Sequence, residues 1–532
     1  MAEIIYDYII IGSGFGGSVS AMRLSEKGYR VLVLEKGKRF QSADFPASNW
    51  NLPKFLWAPI LRCFGFQQLS FFKKVFVLSG VGVGGGSLVY ANTLLTPPDA
   101  FFQNPAWNSL HDWKTDLAPF YQKARFMLGA TPSRHHYEDD NILKAVAHDM
   151  GRAHTFSGVD VGVYYGDTRN EKDPYFQGLG PMRKGCTECA GCMVGCRHNA
   201  KNTLDKNYLW FAEQQGTEIL PETSAKRITF DKTTEIYTVS CQSSTAWLPG
   251  RTQTFQARGI VFSAGVLGTM KLLLEQKFRF KTLPNLSDKL GEQLRTNSES
   301  LCGVANADRK LNYGVAISSG FYPDPHTHVE LVKFPDQSGA MLRLGSLAVD
   351  GHQPALRFIK WLGILLTSPW QTFRLILSAN LPKSSVILLV MQTLDNSMKM
   401  VWKPRPWGGK ITLDNNNKVP AYIPIGQEVM HRYAEKVKGT AVNAIPEIAF
   451  NMSSTAHIIG GCPMGENPAS GVVNKKFEAF GYPRMLILDG SIVPANLGVN
   501  PSLTITALSE YAMSLVPEKP GNTIRPLEER LG

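Results

Sequence analysis

An α/β fold opening on a Rossmann-like dinucleotide-binding unit is predicted by three observations near the start of the chain. Residues 8–11 are a short apolar run, suited to a strand buried on both faces. Gly12, Gly14 and Gly17 follow at once as G-x-G-x-x-G, with Phe15 and Gly16 inside the motif. Glu35 stands at the end of a second apolar run, "VLVL".

Each element has a physical task. Gly12 permits the tight turn, Gly14 lets the backbone approach a pyrophosphate, and Gly17 lets the helix pack on the strand. The helix that follows offers its free N–H groups and positive dipole end to the phosphates. The Glu35 carboxylate is suited to accept from a ribose 2′-hydroxyl, which favours FAD or NAD over NADP. Phe15 and Gly16 count with these glycines as cofactor contacts. A lone G-x-G-x-x-G is a weak signal, but the strand before it, the helix after it and the acid beyond make this one specific.

The 532 residues suffice for a large two-domain enzyme, and 43% apolar content supplies its core. The net charge of +12 comes without a long basic block, so it reads as a solvated face, and no nucleic-acid motif accompanies it. "MAEIIYDYIIIGSG" shows no basic region before a cleavable apolar stretch, so cytoplasmic residence is expected. The best membrane-span candidate, residues 357–377, is interrupted by Lys360, Pro369 and Arg374, and no span is expected.

Further along, residues 79–98 carry Gly80, Gly82, Gly84, Gly85 and Gly86, which let a backbone run close against something flat or charged. "HIIGGCPMG" begins at His457. In residues 486–513, Asp489 and Gly490 end an apolar strand and Pro501 opens a helix. With "AKNTLDKNYL" (200–209), "FSAGVLGTMKLLL" (262–274) and "TLPNLSDKLG" (282–291), these stretches run in order over nearly the whole chain. They resemble the glucose–methanol–choline (GMC) family of FAD oxidoreductases, most of all its cholesterol-oxidase branch.

The resemblance implies an FAD-binding domain assembled from discontinuous segments, 1–44, 205–297 and 466–519. It also implies an α+β substrate domain with an antiparallel sheet from 45–204 and 298–465. It places His457 and Asn500 at the catalytic His and Asn. A histidine can take the alcohol proton near neutral pH, an asparagine can hold the substrate oxygen or the flavin edge without adding charge, and the flavin performs the hydride chemistry. Glu330, in "HVELVKFPDQSG", resembles an active-site glutamate that moves a double bond after oxidation. Implied FAD contacts are Gly82, Gly84, Gly86, Ser87, Ala225, Gly265, Asp489, Gly490, Asn500 and Pro501.

Residues 52–77 and 354–394 mix aromatics with Lys and Arg, the composition of helices lying in a membrane interface. Buried core helices fit the same composition. The resemblance makes such segments a lid through which a lipid enters. The implied substrate is a hydrophobic alcohol (sterol, terpenoid or long-chain), with peripheral membrane contact.

The run Cys186, Cys189, Cys192 and Cys196 departs from the simpler cholesterol oxidases. C-x2-C-x2-C can place three thiolates on a [4Fe–4S] cluster, with Cys196, Cys302 or Cys462 as the fourth ligand. Zinc, a redox device and a structural loop are the alternatives. A cluster would pass electrons to an external carrier. Without one, the enzyme would be a hydrogen-peroxide-producing oxidase, with or without double-bond isomerisation. A non-catalytic lipid-binding or electron-transfer module is the reading from another class, and His457 and Asn500 argue against it.

Overall fold

The computed structural model describes residues 4–134, 136–247, 252–405, 410–414 and 419–531. Residues 1–3 of the N-terminal stretch read above lie outside this set. Two seven-stranded sheets organise the chain.

In the first sheet the Ile5–Ile11 strand lies between Val31–Leu34 and Gln253–Phe262, parallel to both. It starts three residues before the apolar run, because Asp7 is accommodated at the strand's open end, where it accepts from Arg30 N at 2.8 Å. Glu218–Leu220 extends the parallel order on one side and Met485–Ile487 pairs with Gln253–Phe262 on the other. Thr223–Asp231 and Ile236–Ser243 add an antiparallel ribbon. Strands far apart in sequence thus become neighbours, as a crossover sheet requires.

Every residue of the Phe15–Glu26 helix is buried, because it lies between this sheet and the helices Ser502–Ser514 and Tyr208–Gln214. Burial on all sides leaves its Arg23 needing partners. Glu510 accepts from that guanidinium twice, at 2.8 and 2.9 Å, and Glu26 and Glu528 complete the ring. A buried cation is tolerable only when paired in this way.

The second sheet is antiparallel throughout, in the order Gly345–Leu347, Thr440–Ala444, Ser300–Ala305, Val386–Gln392, Thr327–Val332, Ser319–Asp324, Ser157–Gly158. Strand alternation sorts its side chains. Val329, Leu331, Leu388 and Val390 pack under the helices Glu138–Asp149 and Pro424–Lys436. Glu330, Val332, Leu389 and Met391 therefore point to the opposite face. That face carries the site.

The two aromatic-rich segments fold differently from each other. Residues 52–77 form a short helix, Leu52–Phe55, followed by tight strand pairs, and not an interfacial helix. The Pro59 and Gly65 punctuation breaks any longer helical run. Pro354–Thr367 and Pro369–Leu377 are helices, separated at Ser368, and their apolar side is uncovered: Leu366 is 82% and Trp370 74% exposed. The buried-core alternative for this pair is thereby set aside. Arg357 is the exception on the first helix, buried against Glu447 at 2.7 Å. Among the described residues no helix is long and apolar enough to cross a membrane.

Candidate active site

A cavity of about 670 Å³ runs between the two sheets. One part is backbone-rich and polar, lined by Gly12, Gly14, Phe15, Gly16, Glu35, Ala225, Gly265, Asp489 and Gly490. Another is apolar, lined by Leu301, Ile317, Val332, Phe334, Leu375, Ile387 and Leu389. His457, Asn500 and Pro501 line the same space.

The glycines divide by function. A Cβ on Gly12 would lie 2.2 Å from Ser263 O, on Gly16 1.7 Å from Leu488 O, and on Gly17 2.0 Å from Gly12 O, so these positions close the fold. Gly12 also has φ +98°, which excludes most side chains. Gly14 is different: a Cβ there meets nothing nearer than Ser263 O at 4.0 Å, and Gly265 faces open space. Backbone laid bare to an open, polar cavity at the start of two helices fits a dinucleotide pyrophosphate.

Glu35 lines this part of the cavity, but its oxygens already accept from Ser13 N and Oγ (3.1 and 2.8 Å) and Gly37 N (2.8 Å). It braces the turn as well as facing the cavity. Gly82, Gly84 and Ser87 are not among the lining residues, whereas Gly80, Gly85 and Gly86 are. The first three sit behind. Gly82 O accepts from Ser13 Oγ, Gly84 N donates to it, and Ser87 Oγ donates to Gly84 O. They pin one glycine loop to the other. Asp489 accepts from Thr269 Oγ1 (2.5 Å) and Ser491 N (2.8 Å), capping the short turn that carries Gly490.

His457 follows the Ser453–Thr455 strand, and Asn500 precedes the Ser502–Ser514 helix. Asn500 Nδ2 donates to Glu330 Oε2 at 3.2 Å. Asn500 Oδ1 and Glu330 Oε1 are buried with no hydrogen-bond partner in the protein. Orphaned buried acceptors beside a cavity mark where a ligand or water belongs. Glu330 is fully buried, which rules out a solvent-facing strand residue, yet it does not line the cavity and meets it through Asn500. Burial pushes its carboxyl up to about 7, against the lowering effect of the Asn500 hydrogen bond and of His457.

Sequence reasoning missed Glu299. Its carboxylate is fully buried and its Oε2 lies 3.1 Å from His457 Nδ1, an ion-pair distance off ideal hydrogen-bond alignment. Burial pulls the His457 imidazole down, but the charge and the close contact of Glu299, together with the charge of Glu330, hold it above the ordinary imidazole value. Glu299 sits in "NSES", and no local pattern ties it to a histidine 158 positions away.

The four cysteines ring a second cavity, of about 410 Å³. Among the described residues no group of three or more His, Cys, Asp or Glu side chains is placed to hold a metal ion. Cys186, Cys189, Cys192 and Cys196 thus do not converge on a single ion, and the zinc alternative loses its basis. Within the loop Glu188 and Ala190 take left-handed conformations, and Cys189 bridges to Gly314 and stays exposed. Cys302 and Cys462 are buried elsewhere, beside Gly426 O and Met270 Sδ, and supply no fourth ligand. Three thiols accept backbone N–H groups: Cys186 from Glu188, Cys192 from Ala316 and Cys196 from Ala200, at 3.3 to 3.4 Å. Buried Lys201 donates to Leu88 O and Cys192 O, joining this loop to the glycine loop of the first cavity.

The division among the glycines makes a prediction. Gly14→Val will fold but be purified without flavin, because the added side chain meets the cavity and not the protein. Gly16→Val will fail to fold, because its side chain meets the Leu488 backbone. Flavin absorbance per protein and far-ultraviolet circular dichroism separate the two outcomes. Normal flavin content in folded Gly14→Val overturns the assignment of this end of the cavity.

Comparison with known proteins agrees with this architecture. GMC oxidoreductase family models match residues 181–291 and 407–509, and an NAD(P)-binding Rossmann-like domain model matches residues 10–47. A cholesterol oxidase of Mycobacterium tuberculosis (strain CDC 1551 / Oshkosh) is 42% identical over 543 residues, covering 98% of this chain and 93% of its own. A cholesterol oxidase of Acinetobacter baumannii is 41% identical over 528 residues, covering 97% and 95%. The crystal structure of pyridoxine 4-oxidase from Mesorbium loti shares the fold, with a TM-score of 0.61 at 15% identity over 96% of this chain and 99% of that one. The chain belongs to the GMC oxidoreductase family, in its cholesterol-oxidase branch, and is an FAD-dependent oxidoreductase acting on CH–OH groups.

Proposed function

We propose that the chain oxidises a bulky hydrophobic alcohol of the sterol class, with His457 taking the hydroxyl proton and Asn500 holding the substrate oxygen. The observation that carries this reading is one cavity in which His457 and Asn500 share walls with a largely apolar sheet face. A sugar or choline would gain little from that face, whereas each buried CH₂ of a sterol contributes about 0.8 kcal/mol. The relatives' names support the same class. FAD, when bound, accepts the hydride. We assign the FAD-binding unit to 1–44, 205–297 and 466–519, around the first sheet, and the substrate-binding unit to 45–204 and 298–465, around the second. Glu330 holds Asn500 through its carboxylate.

Substrate enters, in this reading, beside the helices Pro354–Thr367 and Pro369–Leu377. Leu375 on the second helix lines the cavity, while Trp370 and Phe373 on the same helix are exposed. An apolar outer side with Lys360 and Arg374 nearby suits a lipid surface bearing anionic headgroups.

A second reading concerns the cysteine-lined cavity. A [4Fe–4S] cluster puts its cysteines on separate irons, so it calls for a cavity and not a point of convergence. Soft thiolates and backbone N–H groups aimed at sulfur are what such a cluster uses, and the N–H contacts to Cys186, Cys192 and Cys196 favour it. One-electron transfer to an external carrier is the chemistry it would supply.

Three outcomes follow from these assignments. His457→Ala will lower the rate of anaerobic flavin reduction by alcohol about 10²- to 10⁴-fold while retaining flavin, the span for a lost acid–base group. An unchanged rate removes His457 from the chemistry. Replacing Leu366, Trp370 and Phe373 with Ser will abolish flotation with anionic liposomes; flotation equal to wild type shows that this face does not dock there. Cys189→Ser will keep flavin but lose the iron found in anaerobically purified wild type. Absence of iron and sulfide from that wild type overturns the cluster reading and leaves a structural loop.

A further inference from the structure

We propose that Glu299 is the positioning residue that makes His457 a base. This rests on the proposed role of His457 as proton acceptor. It adds a residue that sets the tautomer, the charge and the place of that imidazole.

The geometry is specific. Glu299 Oε2 sits against Nδ1 of His457, so a proton on Nδ1 is favoured and Nε2 is left as the unprotonated ring nitrogen. A histidine whose Nδ1 faces a buried carboxylate is oriented and kept in the basic tautomer, the logic of a hydrolase triad. Glu299 cannot swing away. Thr455 Oγ1 donates to Oε2 at 2.9 Å, and Ala456 N lies 3.2 Å from both carboxylate oxygens. The His457 backbone N in turn donates to Thr455 Oγ1 at 2.8 Å, closing a small ring around the imidazole's own main chain.

The same segment braces the other side of the site. Asn297, two residues earlier, accepts from Gly498 N and donates to Val499 O, both at 2.9 Å, directly before Asn500. A single stretch leading into the Ser300–Ala305 strand thus spans both loops. Asn297 and Ser298 are held in left-handed conformations to do so. Two buried acids bear on His457: Glu299 in contact and Glu330 beyond Asn500.

Once the proton reaches Nε2, the resulting imidazolium lies beside the Glu299 carboxylate, which stabilises the charge as it forms. No bond to Glu299 is made or broken. The proton passes from the alcohol oxygen to Nε2, and none passes to Glu299.

Glu299→Gln tests this. The amide keeps an acceptor for Ala456 N, so the fold and flavin content are retained. Its NH₂ now faces Nδ1, which must accept, and the ring proton moves to Nε2. Wild-type flavin reduction rises with pH as His457 loses its proton, with a midpoint raised by Glu299. In Glu299→Gln that midpoint will move to lower pH and the high-pH plateau will fall roughly 10²- to 10⁴-fold. The shift will persist in a Glu330→Gln background, since Glu330 is the other acid bearing on the ring. Glu299→Asp will restore the midpoint towards wild type at a reduced rate. A folded, flavin-loaded Glu299→Gln with an unmoved midpoint overturns the proposal. If His457→Ala also reduces flavin at the wild-type rate, the failure lies in the proton-acceptor reading; if only His457→Ala is slow, it lies in Glu299.

Discussion

Three stretches of backbone meet at the first glycine turn with no room for a single Cβ. Gly12 touches residue 263, Gly16 touches residue 488, and Gly17 touches Gly12 itself. Everything else in the molecule hangs from this contact. It sets Gln253–Phe262 beside the N-terminal strand and Met485–Ile487 on the far side of Gln253–Phe262, and it fixes the turn that bears Asp489 and Gly490. From there Gly460 N reaches Gly490 O and Cys462 N reaches Ser491 O, so the loop carrying His457 is tied to the cofactor end by backbone alone. Side-chain substitution cannot loosen those bonds. A site built on them is rigid for the reason that backbone hydrogen bonds in a buried place are rigid: breaking one leaves an unpaired group with no water near.

Against that scaffold the electrostatics are unusually concentrated. Two buried carboxylates, Glu299 and Glu330, bear on the largely covered His457. Buried charges are expensive unless paired, and Glu299 is paired with the imidazole while accepting from Thr455 and Ala456. Glu330 has the Asn500 amide on one oxygen and, 3.7 Å from the other, the His328 imidazole that burial holds uncharged, and burial accordingly favours its neutral form. Two buried acids of the same type so sit in different surroundings, one facing an imidazole and two donors, the other one amide.

How much of this was legible in the sequence follows from distance along the chain. The glycine turn, Glu35 and the "VLVL" strand announce themselves because their physics is local: a turn, a period, an adjacent helix. His457, Asn500 and Glu330 were legible only through resemblance, since nothing near them in sequence betrays the cavity that His457 and Asn500 line and that Glu330 meets through Asn500. Glu299 was not legible, because its partner is brought to it by sheet topology. In the glycine-dense loop Gly82, Gly84 and Ser87 shape the turn from behind while Gly80, Gly85 and Gly86 line the cavity, and in so irregular a stretch no local signal tells the two sets apart. Composition alone likewise could not distinguish a helix from hairpins in residues 52–77, where prolines and glycines decide. The cysteine spacing was plain, yet the left-handed residues Glu188 and Ala190 that shape the loop carry no signal, being ordinary side chains.

The break at Ser368 sets a geometric limit. Helices of 14 and 9 residues are about 21 and 14 Å long. Neither approaches the ~30 Å of a hydrocarbon core. An apolar phase met by these helices is entered from one side only. An alcohol drawn through them would come from the near leaflet, and once that leaflet is depleted the supply would be set by the rate at which the lipid crosses from the other one. Turnover on a closed vesicle would then show two phases, a fast one for accessible substrate and a slow one paced by the bilayer.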